Sequence, residues 1–330
     1  MISQAATLAR QAATRIAQQV ERTPLQRSDA FSEKLGADIY FKLENRQSTG
    51  SFKFRGATNR LLTLSDEQRA QGCVAASSGN HGAAVACAMQ KLAVNGVIFV
   101  PEQTSSAKVE KIKAHGGDVR FFGTDGLDTE QHARAFAGQN GMFYLSPYND
   151  EEVMAGQGSC GVEIVEDLSD VNAVFVAVGG GGLVGGIGAV LKDHDPGTRI
   201  YGCQPLASPV MARSVEAGEI IDMPSEATLS DGTAGGIEKD ALTFPLNQAV
   251  VDDWVLVTEK QIATAMCLYM ETEEDAIEGA AGVAVAGLLA RRNEIAGEKV
   301  VVVICGGNIS EEAMRKAHSL CGKEPALGNS

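Results

Sequence analysis

The chain has 330 residues, 44% hydrophobic and 21% charged, enough for two soluble domains with a core each. Its formal net charge of −14, with no Lys/Arg cluster, excludes a phosphate-backbone surface, so no nucleic-acid partner is expected. No apolar run suffices to cross a bilayer or to serve as a leader, and the seven cysteines, with no CxxC pair, read as reduced thiols of a cytoplasmic protein.

In chain order, residues 3–20 carry the apolar stripe Leu8, Ala12, Ile16 and Val20, which predicts a helix, and residues 37–43 read as a strand. Ser51-Phe52-Lys53-Phe54-Arg55-Gly56 follows the turn signal Ser48-Thr49-Gly50 and heads a helical run over 57–64. Apolar rings beside a lysine that enters a cleft disfavour its ammonium form, and a neutral amine can form an imine. Taken alone, the hexapeptide equally describes a solvated lysine between core phenylalanines. Strand-like runs at 73–76, 97–100, 119–122 and 142–145 then alternate with helical runs at 82–92, 105–115 and 127–139. A second alternation follows, with helices near 152–166, 183–191, 208–217, 259–271 and 278–292 and strands at 173–178, 200–204, 255–257 and 300–304; residues 225–236 read as a long loop. The pattern predicts an α/β fold of two open, mainly parallel sheets with right-handed crossovers.

Three further turns close apolar strands, where open parallel sheets bind ligands. Ser77-Ser78-Gly79-Asn80-His81 offers hydroxyls, an amide and helix-start N–H groups to a carboxylate, beyond what one ordinary N-cap needs. Gly179-Gly180-Gly181-Gly182-Leu183 exposes successive N–H groups at a helix N-terminus, a place for a phosphate. Gly180, Gly182 and Gly185 also satisfy GxGxxG, but the next strand ends in Gln204, where a dinucleotide site wants an acid; a nicotinamide oxidoreductase is therefore disfavoured. Cys305, in Cys305-Gly306-Gly307-Asn308, reads alone as a buried small hydrophobe, or as a neutral partner for a ring nitrogen.

Together these four turns resemble the fold type II pyridoxal-phosphate enzymes, the tryptophan synthase β-like fold, and within them the threonine/serine dehydratase and serine racemase branch, over nearly the whole chain. The resemblance implies pyridoxal 5'-phosphate attached at Lys53, with Phe52 against one face of its ring and Gly232 near the other. It implies that Asn80 bonds the ring hydroxyl, that Gly179, Gly180, Gly181, Gly182 and Leu183 hold the phosphate, and that Cys305 faces the ring nitrogen. Ser77, Ser78, Gly79, Asn80 and His81 would surround the substrate carboxylate, and Glu278 matches a glutamate near the cofactor. Residues 1–50 with 147–330 would form a large cofactor-binding domain, and 51–146 a small domain carrying Lys53 and the Ser77–His81 loop.

The implied activity is an ammonia-lyase (EC 4.3.1) that eliminates water from a small 3-hydroxy amino acid such as L-threonine or L-serine, with Lys53 taking the Cα proton. The neutral thiol at Cys305 suits β-elimination better than transamination. Ser78 stands where racemases place a second catalytic base, so an amino-acid racemase is an alternative activity. Residues 228–238 and 202–205 look similar to dehydratase-like proteins of hydroxyectoine breakdown, so a hydroxyectoine-derived compound, a hydroxyaspartate or a phenylserine are the alternative substrates. Gln204 and Val210 stand where the branch places metal-binding carboxylates, so no metal is expected. No regulatory domain is expected after Asn308. A homodimer or homotetramer is implied by analogy. A non-catalytic binding protein of the same fold is the rival reading, which intact Lys53 and Asn80 oppose.

Overall fold

The structure is a computed structural model and describes residues 1–322. Helix α1 (Ile2–Ile16) buries Ala6, Ala9, Ala12 and Ile16 on one face, and is followed by β1 (Leu25–Arg27), α2 (Asp29–Leu35) and β2 (Asp38–Lys42). Lys53 is the first residue of α3 (Lys53–Leu62); α4 (Asp66–Gln71), begun by a Ser65/Gln68 capping box, leads into β3 (Cys73–Ala76). Next come α5 (Asn80–Leu92), β4 (Gly96–Val100), α6 (Ser106–Ala114), β5 (Asp118–Phe121), α7 (Gly126–Gln139) and β6 (Phe143–Tyr144). The remainder comprises α8 (Glu151–Asp167), β7 (Ala173–Ala177), α9 (Gly182–His194), β8 (Arg199–Pro205), α10 (Val210–Ala217), α11 (Thr243–Val250), β9 (Asp253–Val257), α12 (Glu259–Glu273), α13 (Gly279–Ala290), β10 (Lys299–Val303) and α14 (Glu311–Cys321).

The fold is α/β with two sheets. One has the order β1-β2-β10-β7-β8-β9 and is parallel except for the β1–β2 pair; the other has the order β5-β4-β3-β6 and is parallel throughout. Strands β7 and β10 are buried along most of their length on both faces, which is why they read as unbroken apolar runs. Helix α13 is apolar all round and packs across β7, β8, β9 and β10. Because β10 and β7 are paired and parallel, the turns after them, at 305–308 and 179–182, leave the sheet at the same carboxyl end.

The structure adds elements that the sequence pattern does not announce. Strand β1 is three residues long, with Gln26 and Arg27 exposed and no period-2 alternation; it exists because β2 offers it an open edge. Helix α11 contains Pro245, which its first turn tolerates. The cysteines depart from the expectation of reduced thiols: Cys267 on α12 and Cys321 on α14 form a disulfide, while Cys73, Cys87, Cys160, Cys203 and Cys305 are free and buried. Packing of α14 along α12 brings the two together across a separation of 54 residues, an adjacency that spacing does not reveal. Among the described residues, no helix is long and apolar enough to cross a membrane.

Candidate active site

Lys53 is held from both sides of its turn. In front, Phe52 N donates to Cys305 O at 3.1 Å, Gly307 N donates to Gly50 O at 3.0 Å, and Ser51 bridges Gly306 in antiparallel fashion, so residues 50–52 are stitched to the end of β10. Behind, Arg55 is fully buried with two carboxylates. Its guanidinium donates to Glu44 at 2.7 and 2.8 Å and to Glu163 at 2.7 and 2.8 Å, and Lys42 Nζ donates to Glu163 at 2.6 Å. Two cations and two anions thus neutralise one another inside the core, the condition under which buried charge is tolerated. Burial pushes the Glu44 carboxyl up, but Arg55, Lys42 and Thr23 together hold it below its ordinary value.

The Lys53 amine donates to Pro147 O at 2.8 Å and lies 5.1 Å from the Phe52 ring centre. Burial draws its pKa down to about 8, against the opposing influence of Cys305 and Glu278. A sizeable neutral fraction is therefore present near pH 8, which is what a nucleophilic amine requires. Burial also pushes the Cys305 thiol well above its ordinary range, so it stays neutral.

Asn80, at the start of α5, reaches from the β3 side to Glu278, which precedes α13. Its Nδ2 donates to both carboxylate oxygens at 2.9 Å. Asn308 N donates to Glu278 Oε2 at 3.2 Å, and Asn308 Nδ2 donates to Asn80 Oδ1 at 2.6 Å. Burial raises the Glu278 carboxyl to about 7 despite these donors. Gly306 is bare where Glu278 passes: a Cβ there would meet Oε1 at 2.5 Å.

The Gly179–Leu183 turn fits a phosphate by three observations. Gly181 adopts φ +85° as N-cap of α9, and no side chain caps the helix, so its first N–H groups remain open to a ligand. Gly180 lies flat on Tyr148, where a Cβ would come 2.3 Å from the ring. Fully buried Asn247 packs against Gly181 and Gly185 with neither amide atom hydrogen-bonded in the protein, a polar group without a partner beside the cradle. The 231–233 turn flanks the cradle: Thr233 lies beside Gly179, and a Cβ on Gly232 would stand 3.9 Å from Glu278 Oε1.

The Ser77–His81 segment faces the same seam. Ser77 Oγ accepts from Gly79 N at 3.2 Å, Ser78 is half-buried, and Gly79 has open space around it. His81 is buried, and its Nε2 lies 3.0 Å from Leu145 O; a carbonyl only accepts, so that nitrogen carries the hydrogen. Burial and Lys53 lower the His81 pKa to about 3, so the ring is neutral and supports the loop from beneath. Gln204 is buried and spent on backbone: Ala212 N donates to its Oε1 at 2.8 Å and its Nε2 donates to Val178 O at 3.0 Å, just before the glycine turn. An amide so engaged does not fit a cation site, and among the described residues no group of three or more His, Cys, Asp or Glu side chains is placed to hold a metal ion.

Sequence reading left several participants unassigned. Asn308 and Lys111 join the Asn80–Glu278 cluster, and Tyr148 packs under Gly180. The segments 146–150 and 225–242 bond to each other: Asn149 Nδ2 donates to Glu238 at 3.0 Å, Glu238 N donates to Tyr148 OH at 2.9 Å, and Leu242 N donates to Asn149 Oδ1 at 2.9 Å. Tyr148 and Asn149 lie in the segment 146–156, which with 225–240 is expected from the sequence to shape the pocket for the β-substituent.

A family model described as "Pyridoxal-phosphate dependent enzyme" matches residues 16–306. The chain is 39% identical to an L-threonine ammonia-lyase of Geobacter sulfurreducens, over 92% of this chain and 75% of that one. It is 35% identical to an L-threo-3-hydroxyaspartate ammonia-lyase of Saccharomyces cerevisiae, over 95% of each. The structure superposes on a processed threonine deaminase isoform 2 from Solanum lycopersicum with a TM-score of 0.92 at 32% identity, covering 97% of this chain and 94% of that one.

Proposed function

The chain belongs to the pyridoxal-phosphate dependent enzyme family, and from that premise we propose that it is an ammonia-lyase that removes water from a 3-hydroxy amino acid, L-threonine or L-serine, to release a 2-oxo acid and ammonia. The observation that carries this reading is the Lys53 amine, largely desolvated and drawn to about pKa 8, at the seam where the uncapped glycine turn, Cys305 and the Ser77–His81 loop converge. Pyridoxal phosphate, when bound, supplies the electron sink for the pair left as the Cα–H bond breaks.

The chain's own residues do the rest. Gly179 to Leu183 would bind the phosphate through backbone N–H groups, Phe52 and Gly232 would stand against the ring, Asn80 would hold its hydroxyl oxygen, and Cys305 would meet its nitrogen without protonating it. Ser77, Ser78, Gly79, Asn80 and His81 would surround and orient the substrate carboxylate. Lys53 takes the Cα proton as base; the β-hydroxyl leaves with a proton as water, and a second water releases the amine nitrogen as ammonia, so the net change is hydroxy amino acid to 2-oxo acid plus ammonia. The reading treats 51–146 as a small lobe closing on 1–50 and 147–330. A second substrate, threo-3-hydroxyaspartate, is favoured by the yeast relative, matched over 95% of both chains.

The test is direct. Purified protein supplied with pyridoxal phosphate should show a visible absorbance band and release 2-oxo acid from one of the three amino acids, and Lys53→Ala should lose both. Turnover retained in Lys53→Ala would sink the assignment.

A further inference from the structure

Lys111, on α6, lies outside every role assigned so far, yet its amine donates to Asn308 Oδ1. An ammonium group only donates, so the Asn308 atom facing it must be the oxygen. On its other side, Asn308 faces Thr49 O at 2.9 Å, and a carbonyl only accepts, so the atom there must be Nδ2. The two neighbours fix the Asn308 amide in one orientation, with its NH2 also 2.6 Å from Asn80 Oδ1. Asn80 in turn can present only its NH2 away from Asn308; one N–H is shared by the paired oxygens of the Glu278 carboxylate, too close together to take both, and the other is left for the ring oxygen. The polarity runs one way along the chain Lys111, Asn308, Asn80, and a cation at its head strengthens each later donor.

We infer that Lys111 is a positioning residue: through Asn308 it makes Asn80 an obligate, polarised donor, and so selects an oxygen anion, the deprotonated ring hydroxyl of the cofactor, as the group Asn80 binds. This rests on the reading of Asn80 given above. A lysine kept only for packing or surface charge would leave the cofactor's electronic state untouched.

The experiment compares wild type, Lys111→Met and Lys111→Arg, each stripped of ligand and titrated with pyridoxal phosphate while the visible spectrum is recorded. Lys111→Met should bind about tenfold more weakly, the loss of one charge-assisted hydrogen bond, with a changed visible absorbance maximum. Its ligand-free melting temperature should stay close to wild type. Lys111→Arg, also donor-only, should restore affinity to within about twofold and the wild-type maximum. Wild-type affinity and spectrum in Lys111→Met would overturn the inference, as would an arginine variant no better than methionine. Wild-type protein that binds no pyridoxal phosphate would instead overturn the parent reading.

Discussion

Glu278 is a carboxylic acid in a place that resists its charge. Burial lifts its pKa from 4.5 to about 7, so the native fold holds that proton more tightly than the unfolded chain does. The resulting stability is complete below about pH 4.5 and is lost as pH rises through about 7. Lys53, depressed to about 8, has the opposite sign: its contribution is present above its ordinary 10.5 and is lost as pH falls through about 8, outside that window. Glu278→Gln is neutral at every pH. In ligand-free protein the fall in urea-derived stability between about pH 5 and about pH 7.5 should therefore shrink by about 2 kcal/mol in the variant. An unchanged fall would place the titrating group elsewhere.

At the scale of elements, α3 presents Lys53 at its first residue and plugs Arg55 into the core two residues later. Arg55→Leu removes one cation from a balanced set and leaves Glu44 and Glu163 facing each other with Lys42 alone to answer them. It should destabilise the protein by about 3–5 kcal/mol in denaturant unfolding; a loss under about 1 kcal/mol would show that water reaches the cluster. Much of the surrounding fold is legible in the sequence, because β3, β7 and β10 are apolar runs ended by small or glycine-rich turns and β4 is an apolar run ended by Pro101. Less legible are elements that depend on a neighbour, such as β1 on the edge of β2 and α14 on α12. Arg55 stands in the quoted hexapeptide, yet its partners Glu44 and Glu163 lie on separate elements, and no spacing rule joins them. Lys111 is hidden for the same reason: among the lysines of α6 it looks like a solvated surface charge, and only the packed chain turns it toward Asn308.

Across the whole molecule, the site is a seam. Asn80 follows β3 of one sheet and bonds Glu278 and Asn308 beside β10 of the other, Lys108 on α6 pairs with Asp231 at 3.4 Å, and Asn149 bonds Glu238. A ligand that spans the glycine turn and Asn80 binds both sheets at once. Pyridoxal phosphate at about one hundred times its dissociation constant should then stabilise the native state by about 2.7 kcal/mol, and calorimetry should show one transition moved upward as a unit. Two transitions, of which only one moves, would mean that the sheets unfold independently and share the ligand loosely.

The stitch between residues 50–52 and the end of β10 also governs when this protein can become itself. A chain leaves the ribosome from its N-terminus, and early segments begin to fold as they emerge. Lys53 emerges before Cys305, Gly306 and Asn308, with the strands β3 to β10 made in between. Until β10 slots between β2 and β7, the lysine's turn has no strand end to bond and Asn80 has no partner in Glu278 or Asn308. Capture of the cofactor therefore waits for β10, and a nascent chain halted before that strand should be colourless.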